Sequence, residues 1–362
     1  MKRRTLGSTG ISVSEIALGA MMFGSLGNAD HGDAIRIIHS ALDAGINVID
    51  TADVYSRGES EKIVGKAVKG RRDGLVIATK FGRPMGDDPN QRGGARRWIV
   101  RAVEDSLRRL GTDYIDLYQI HRPDHRTETG ETLAALSDLV QAGKIRAFGS
   151  SMFPAEMMVE AQWTAERRGS HRFLTEQPMY SIFTRRPEAA VLPTALRHGL
   201  GVLTFSPLNS GWLSGRADLP ATHRARLMSS VFPSHYDTST PAGALKAAAL
   251  ARLTVLAEEA GMTLPQLAIA FVRAHPAVST VLIGPRTQEQ LDGLLHGAGT
   301  GLPHTGLSHT RLPRTELSDI ELSDEILDRI DEIVPPGTDL DPADNYAAAP
   351  PAIEDARLRR RR

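Results

Sequence analysis

Several features are scarce in this chain of 362 residues, and each scarcity excludes a class of protein. There is no cysteine, so disulfides, thiolate nucleophiles and cysteine-bound metals are excluded, and no metal site is predicted. The formal net charge is zero, which gives no reason to expect binding to nucleic acid or to an anionic membrane. No apolar stretch approaches the ~20 residues that a membrane-spanning helix needs, so no membrane segment is predicted.

The two ends of the chain carry weaker signals. Met1–Arg4 is followed by the polar, glycine-containing segment 5–10 and not by an apolar core, so no signal peptide is predicted and we expect a cytoplasmic protein. Residues 349–362 finish in an arginine-rich run, which predicts a disordered basic tail; the alternative is a segment that binds an anionic partner. No feature of the sequence predicts an oligomeric state.

What the chain does contain is a regular alternation of short apolar runs and amphipathic segments. Eight such units follow a glycine-punctuated opening that predicts a hairpin over residues 4–13. Short strands buried on both faces, each followed by a helix, predict an α/β fold of the (β/α)₈ TIM-barrel type, as a single domain over residues 1–348 with an extended C-terminal tail. A loop insertion is predicted near residues 297–317. The alternative, a doubly wound sheet, lacks its Gly-x-Gly-x-x-Gly turn after a strand.

Ionisable residues end three consecutive strand-like runs. Lysine is rare in this chain, since arginine supplies most of the 43 basic residues, yet Lys80 closes the apolar run 75–79. The run before it ends at Asp50 and the run after it ends at His121. Because the carboxyl ends of barrel strands meet at one mouth, these side chains are expected to be neighbours there. Tyr55 lies in the loop just beyond Asp50 and is expected at the same mouth.

These residue types together favour proton donation to a bound carbonyl group. An ammonium beside a tyrosine favours the phenolate, a carboxylate keeps that ammonium charged, and a histidine can hydrogen-bond to a carbonyl oxygen. Each residue alone also has a structural explanation, such as a helix cap for Asp50 or a structural ion pair for Lys80. The coincidence at adjacent strand ends favours catalysis. A separate alternative makes Lys80 a Schiff-base nucleophile of a barrel aldolase, which requires a neutral amine.

Several segments resemble the aldo-keto reductase superfamily. They are Asn47–Tyr55, Ala78–Gly82 and Leu117–His121, together with Gly7–Ser14 and Asp105–Tyr114. The resemblance runs from about residue 3 to 348, except for the insertion. It implies a (β/α)₈ fold and hydride transfer from NADPH to an aldehyde or ketone, a small-molecule carbonyl substrate. Tyr55 would be the general acid, tuned by Lys80 and Asp50. His121 would orient the carbonyl, and Met22 would join Tyr55 and His121 in contacting the substrate.

The same resemblance implies a cofactor site. The implied contacts are Gly19, Ala20, Met21, Asp50, Ser151, Gln177, Phe205, Ser206, Pro207, Leu208, Gly211, Gly284, Arg286 and Gln290. Met152 replaces the asparagine with which the family binds the nicotinamide carboxamide. Phe205 replaces the tyrosine that stacks on the nicotinamide, and phenylalanine keeps the ring face needed for stacking. Arg286 matches the residue that binds the adenosine 2′-phosphate, so NADPH is predicted as cofactor, with NADH as the alternative. Some superfamily members serve instead as redox-sensing subunits of ion channels, which is the alternative function.

Overall fold

Short β-strands alternate with helices through the described chain, which in this computed structural model comprises residues 1–215, 234–297 and 315–344. Two strands form an N-terminal antiparallel hairpin and eight form a closed parallel barrel. The strands are β1 (Arg3–Thr5), β2 (Ser12–Ser14), β3 (Ile16–Gly19), β4 (Val48–Asp50), β5 (Val76–Phe81), β6 (Ile115–Ile120), β7 (Ile145–Ser151), β8 (Thr175–Gln177), β9 (Gly201–Thr204) and β10 (Val278–Ile283). Each barrel strand pairs with its neighbour in the chain, and β10 pairs with β3 to close the ring. The predicted (β/α)₈ barrel and hairpin are confirmed.

The described helices lie between and after the barrel strands. They are α1 (His31–Asp43), α2 (Glu59–Ala67), α3 (Arg96–Leu110), α4 (Thr129–Gln141), α5 (Ala155–Arg168), α6 (Val191–Arg197), α7 (Pro241–Glu259), α8 (Leu264–Ala274), α9 (Gln288–His296) and α10 (Asp324–Ile333). Their ends follow local rules: the Asp30 side chain caps α1, and Gly111 ends α3 with a left-handed φ of 63°. The pattern over 187–198 predicts one helix, but α6 begins only at Val191 because Ala190 leaves the helical region at φ −146°.

The hairpin closes the amino-terminal end of the barrel. Leu6 and Val13 are fully buried in one apolar cluster with the inward-facing strand residues. The turn of the hairpin packs so closely on the chain that a Cβ on Gly7 would lie 2.2 Å from the backbone nitrogen of Gly201. Glycine is therefore required at position 7, where φ is also +54°. Among the described residues the hairpin covers this end of the barrel, so a site is expected at the carboxyl ends of the strands.

Two predicted segments lie largely beyond the described residues. Most of the predicted insertion at 297–317 and the whole of the predicted tail at 349–362 are outside them. Within the described ranges, no single helix is long and apolar enough to cross a membrane. The helices α7 and α8 meet that test only as a pair, and they are bent by 91° relative to each other.

A buried ionic cluster attaches the last described turn to the barrel. Lys246 of α7 is fully buried, with Nζ 2.7 Å from Asp344 Oδ2 and 3.3 Å from Asp341 Oδ2. His235 Nδ1 lies 2.7 Å from Asp344 Oδ1, and Asn209 Nδ2 donates to Asp344 Oδ2 at 2.9 Å. Burial alone would raise the pKa of Asp344, but the His235 hydrogen bond and the charge of Lys246 outweigh it and lower that pKa. Asp344 therefore joins α7 to the turn after β9.

Replacing Asp344→Ala is expected to lower the free energy of unfolding by about 3 kcal/mol, because the ammonium of Lys246 stays buried without its nearest partner. The matched control is Asp138→Ala, which removes an exposed ion pair with Arg96 and should cost less than about 1 kcal/mol. Urea denaturation at pH 7 measures both. Equal midpoints for the two variants would show that the cluster does not stabilise the fold.

Candidate active site

Three ionisable side chains stand at the carboxyl ends of adjacent strands. Asp50 is the last residue of β4, Lys80 is the last but one of β5, and His121 follows β6 directly. The parallel pairing of β4 with β5 and of β5 with β6 brings these ends to one side of the barrel mouth. The structure thus places the three residues together, as the strand pattern predicts.

Lys80 is fully buried, and the chain itself holds its ammonium. Nζ donates to Asp50 Oδ1 and, at 2.8 Å, to the backbone oxygen of Thr51. Burial alone would lower the pKa of Lys80, but the charge of Asp50 and the adjoining Tyr55 outweigh burial and raise that pKa above its ordinary value. Lys80 is therefore an ammonium at physiological pH.

Tyr55 reaches the same mouth from the turn after β4. It begins a short 3₁₀ turn in which Ser56 and Arg57 have φ values of 48° and 54°. Positive φ is unfavourable for residues other than glycine, so this backbone is strained. Lys80 Nζ lies 5.2 Å from the centre of the Tyr55 ring. The strained turn therefore holds the half-buried Tyr55 next to the buried ammonium.

His121 also lies against Tyr55. The two rings meet edge to face, with centroids 5.6 Å apart and planes at 83°. His121 is 6% exposed, and its Nδ1 has no hydrogen-bond partner among the described residues. Burial lowers the pKa of His121 well below its ordinary value, and the positive charges of Lys80, Arg122 and Arg83 lower it further. His121 is therefore a neutral imidazole at neutral pH.

Two glutamines occupy the second oxygen of Asp50. Gln177 Nε2 donates to Asp50 Oδ2 at 2.9 Å, and Gln119 Nε2 donates to the same oxygen at 3.4 Å. The sequence predicts only a cofactor contact for Gln177 and no role for Gln119. The sequence feature that could have pointed to Gln119 is its amide side chain, which lies two residues before His121 in an otherwise apolar strand end. Because both oxygens of Asp50 already have partners within the chain, its contact with a cofactor stays a prediction.

The other residues predicted to bind a cofactor lie around the same mouth. They stand at or just after the ends of β3, β7, β8, β9 and β10, which complete the ring of strands around the three that carry the catalytic candidates. They are Gly19, Ala20, Met21, Ser151, Gln177, Phe205, Ser206, Pro207, Leu208, Gly211, Gly284, Arg286 and Gln290. Met22, the predicted substrate contact, is buried just beyond β3. Whether each residue touches a ligand stays a prediction.

Two features of this rim bear on the predicted cofactor. Phe205, directly after β9, is half-buried, so part of its ring remains accessible for stacking. The guanidinium of Arg286 has no ion-pair partner in the described part of the chain, and it stands next to Thr287, which caps the N-terminus of α9. Gln290 Oε1 accepts from the Arg286 N–H at 2.8 Å and holds this turn in place. An unpaired cation beside a helix N-terminus suits a phosphate group.

Comparison with known proteins identifies the family of the chain. The sequence model of the Aldo/keto reductase family matches residues 15–300, so the chain belongs to that family. An uncharacterized oxidoreductase, YrpG of Bacillus subtilis, is 38% identical over 80% of this chain and 89% of its own length. The aldo-keto reductase YhdN of the same organism is 36% identical over 81% of this chain and 88% of its own. The chain is therefore an oxidoreductase of the aldo-keto reductase type.

A further relative carries a different description. A probable voltage-gated potassium channel subunit beta of Arabidopsis thaliana is 35% identical over 80% of this chain and 89% of its own length. The family therefore includes relatives named as enzymes and relatives named as channel subunits at comparable identity.

The neutral state of His121 predicts a particular titration. In NMR spectra of the histidine-labelled protein, its signal should keep the neutral shift at a pH where an exposed histidine, with a pKa of about 6.5, is already protonated. The unfolded chain binds this proton near pH 6.5 and the folded chain does not, so this group makes the fold less stable as pH falls below about 6.5. The variant His121→Gln identifies the signal. Protonation near pH 6.5 would contradict the assignment.

Proposed function

We propose that the chain reduces an aldehyde or ketone to an alcohol with NADPH as reductant and Tyr55 as proton donor. The observation that carries the proposal is the arrangement of Lys80, whose ammonium is fully buried against Asp50, under the ring of Tyr55 and beside the neutral His121. Burying a charge is unfavourable unless it is paired, and here the paired charge lies at the carboxyl ends of the barrel strands, where barrel enzymes carry their active sites.

The roles follow from the charge on each group. The Tyr55 hydroxyl donates its proton to the substrate oxygen, and the ammonium of Lys80 stabilises the phenolate that remains. Asp50 keeps Lys80 charged, as the raised pKa of Lys80 requires. His121 is neutral and can donate one N–H to an uncharged carbonyl oxygen, which orients the substrate for attack. A reduced nicotinamide, when bound, supplies the hydride.

The cofactor would be held by the rim residues of the neighbouring strands. Gln177, which donates to Asp50, and Ser151, which pairs with Gln177, would bind the carboxamide end, while Phe205 would stack on the nicotinamide ring. The segment Ser206–Leu208, with Gly211, would lie along the pyrophosphate. Arg286 would bind the 2′-phosphate, which supports NADPH over NADH. A small-molecule carbonyl compound is the substrate class that the family supports.

Lys80 as a Schiff-base nucleophile has less support. That chemistry needs a neutral amine, and the contact with Asp50 raises the pKa of Lys80 and keeps the amine protonated. The geometry therefore favours an electrostatic role for Lys80 over a covalent one.

The second candidate function is that of a cofactor-binding regulatory subunit with little turnover. The observation in its favour is the relative named as a potassium channel subunit beta. The two candidates differ in one measurable quantity, the rate of NADPH oxidation with a broad panel of aldehydes and ketones. Tight NADPH binding without oxidation across the panel would favour the regulatory function.

Replacing Tyr55→Phe is expected to reduce kcat by about 10²- to 10⁴-fold, because the proton donor is lost while the ring remains. NADPH affinity should change little. The matched control is Tyr114→Phe, since the Tyr114 ring packs between Arg72 and Arg146 at the opposite end of β6. Loss of NADPH absorbance with a reactive test aldehyde measures turnover. Full activity in Tyr55→Phe would show that another group donates the proton.

Replacing Arg286→Ala is expected to raise the Kd for NADPH about tenfold or more and to leave the Kd for NADH nearly unchanged, because only NADPH carries the 2′-phosphate. The control is Arg101→Ala, which changes an exposed arginine of α3. Titration of both cofactors, followed by their fluorescence, gives the two constants. An equal effect on NADPH and NADH would assign Arg286 a structural role.

A further inference from the structure

The turn after β7 depends on a buried carboxylate. Glu176 of β8 is fully buried and lies directly opposite Ser150 of β7 in the strand register. The Ser150 hydroxyl donates to Glu176 Oε2 at 2.5 Å, and the Phe153 N–H donates to Oε1 at 3.1 Å. Both oxygens of Glu176 therefore hold residues 150–153, which we name the β7 turn.

The β7 turn contains a strained residue at the predicted nicotinamide site. Met152 has a φ of 60°, the left-handed region that costs a non-glycine residue about 1–2 kcal/mol. Its N–H donates to Gln177 O at 3.2 Å, and the Ser151 hydroxyl donates to the same oxygen at 2.9 Å. Because these bonds and those to Glu176 lie on both sides of Met152, β8 imposes the shape of the turn.

We propose that Glu176, as a carboxylate, is the positioning residue that shapes the β7 turn for nicotinamide binding and replaces the amide side chain that Met152 lacks. The inference rests on the proposed function and deepens it. A methionine side chain has no amide that could hydrogen-bond to the nicotinamide carboxamide. The hydrogen bonds at the β7 turn must therefore come from Ser151 and from the backbone of the turn. Their positions are held by Glu176, which accepts from groups on both sides of Met152.

The charged form of Glu176 suits the hydrogen-bond donors of the β7 turn. The N–H groups of the turn can only donate, and a carboxylate accepts from them and from the Ser150 hydroxyl more strongly than the neutral acid, whose proton would reverse the Ser150 contact. Burial raises the pKa of Glu176 to about 7, although the donors of the turn and the charge of Arg122, from the loop after β6, act to lower it. The shape of the turn should therefore respond to pH near neutrality.

The test compares the Kd for NADPH of Glu176→Gln and of the wild-type chain from pH 5.5 to 8.5. Glutamine resembles the protonated acid, so the ratio of variant to wild-type Kd should be about ten at pH 8.5 and should approach one at pH 5.5. Titration of the 2′-phosphate affects both proteins equally and cancels in the ratio. Glu104→Gln, in a half-buried ion pair of α3 with Lys144, is the matched control and should give a ratio of one throughout.

Two further measurements separate positioning from general damage. The stability of the wild-type apoprotein should fall as pH rises from about 4.5 to 7, because the folded chain holds the Glu176 proton more tightly than the unfolded chain, and Glu176→Gln should lack this contribution. Ser150→Ala removes a donor that lowers the Glu176 pKa, so the midpoint of the Kd profile should move up by about one pH unit.

The outcomes are distinct. A Kd ratio near one at pH 8.5, or a ratio that does not vary with pH, would overturn the role of Glu176 while leaving the proposed function intact. Failure of the wild-type chain to bind NADPH at any pH would overturn the proposed function and this inference together. A pH-dependent ratio with the shifted midpoint in Ser150→Ala would support the inference.

Discussion

The contact between Lys80 and Asp50 is the interaction on which the candidate site depends. An isolated ammonium at full burial loses several kcal/mol of hydration, and such a group ordinarily gives up its proton. Here the carboxylate and the backbone oxygen of Thr51 replace that hydration, and the pKa of Lys80 rises. The charge then acts on its neighbours: it lies under the ring of Tyr55 and contributes to the low pKa of His121. Without this contact, Tyr55 would lose the ammonium under its ring, and His121 would lose one of the charges that lower its pKa.

Glu176 is a second buried ionisable group, and burial disfavours its negative charge as it disfavours the positive charge of Lys80. Glu176 is surrounded by hydrogen-bond donors, and its pKa rises to about 7 because burial outweighs those donors and the charge of Arg122. The two charges are linked through β8, since Gln177 follows Glu176 and donates to Asp50. One short strand thus connects Asp50 of the candidate site with the turn proposed to hold the nicotinamide. A rigid barrel can hold two such costly groups because its strands pair on both sides.

Much of this architecture could be predicted from the sequence because its signals are local. The barrel follows from apolar runs that each end in a polar or charged residue, and Asp50, Lys80 and His121 could be predicted as neighbours because parallel strands share one mouth. The ends of the helices and strands are harder to predict from the sequence. Nothing in the pattern over 187–198 indicates that Ala190 leaves the helical region, since a backbone angle depends on the packing around it. Gln119 and Glu176 were missed because their partners lie on other strands.

The sequence by itself determined the fold class and the chemical identity of the catalytic candidates, because hydrophobic periodicity and strand-end residue types can be recognised without knowing any distance. Only the tertiary structure decided the protonation states of these residues and the contacts that hold them in place. The burial of Lys80, the lack of a partner for His121 Nδ1 among the described residues and the pairing of Ser150 with Glu176 arise when distant segments exclude water from one another. A lysine at a strand end is visible in the sequence. Its charge inside the barrel depends on a desolvation energy and a partner that exist only after folding.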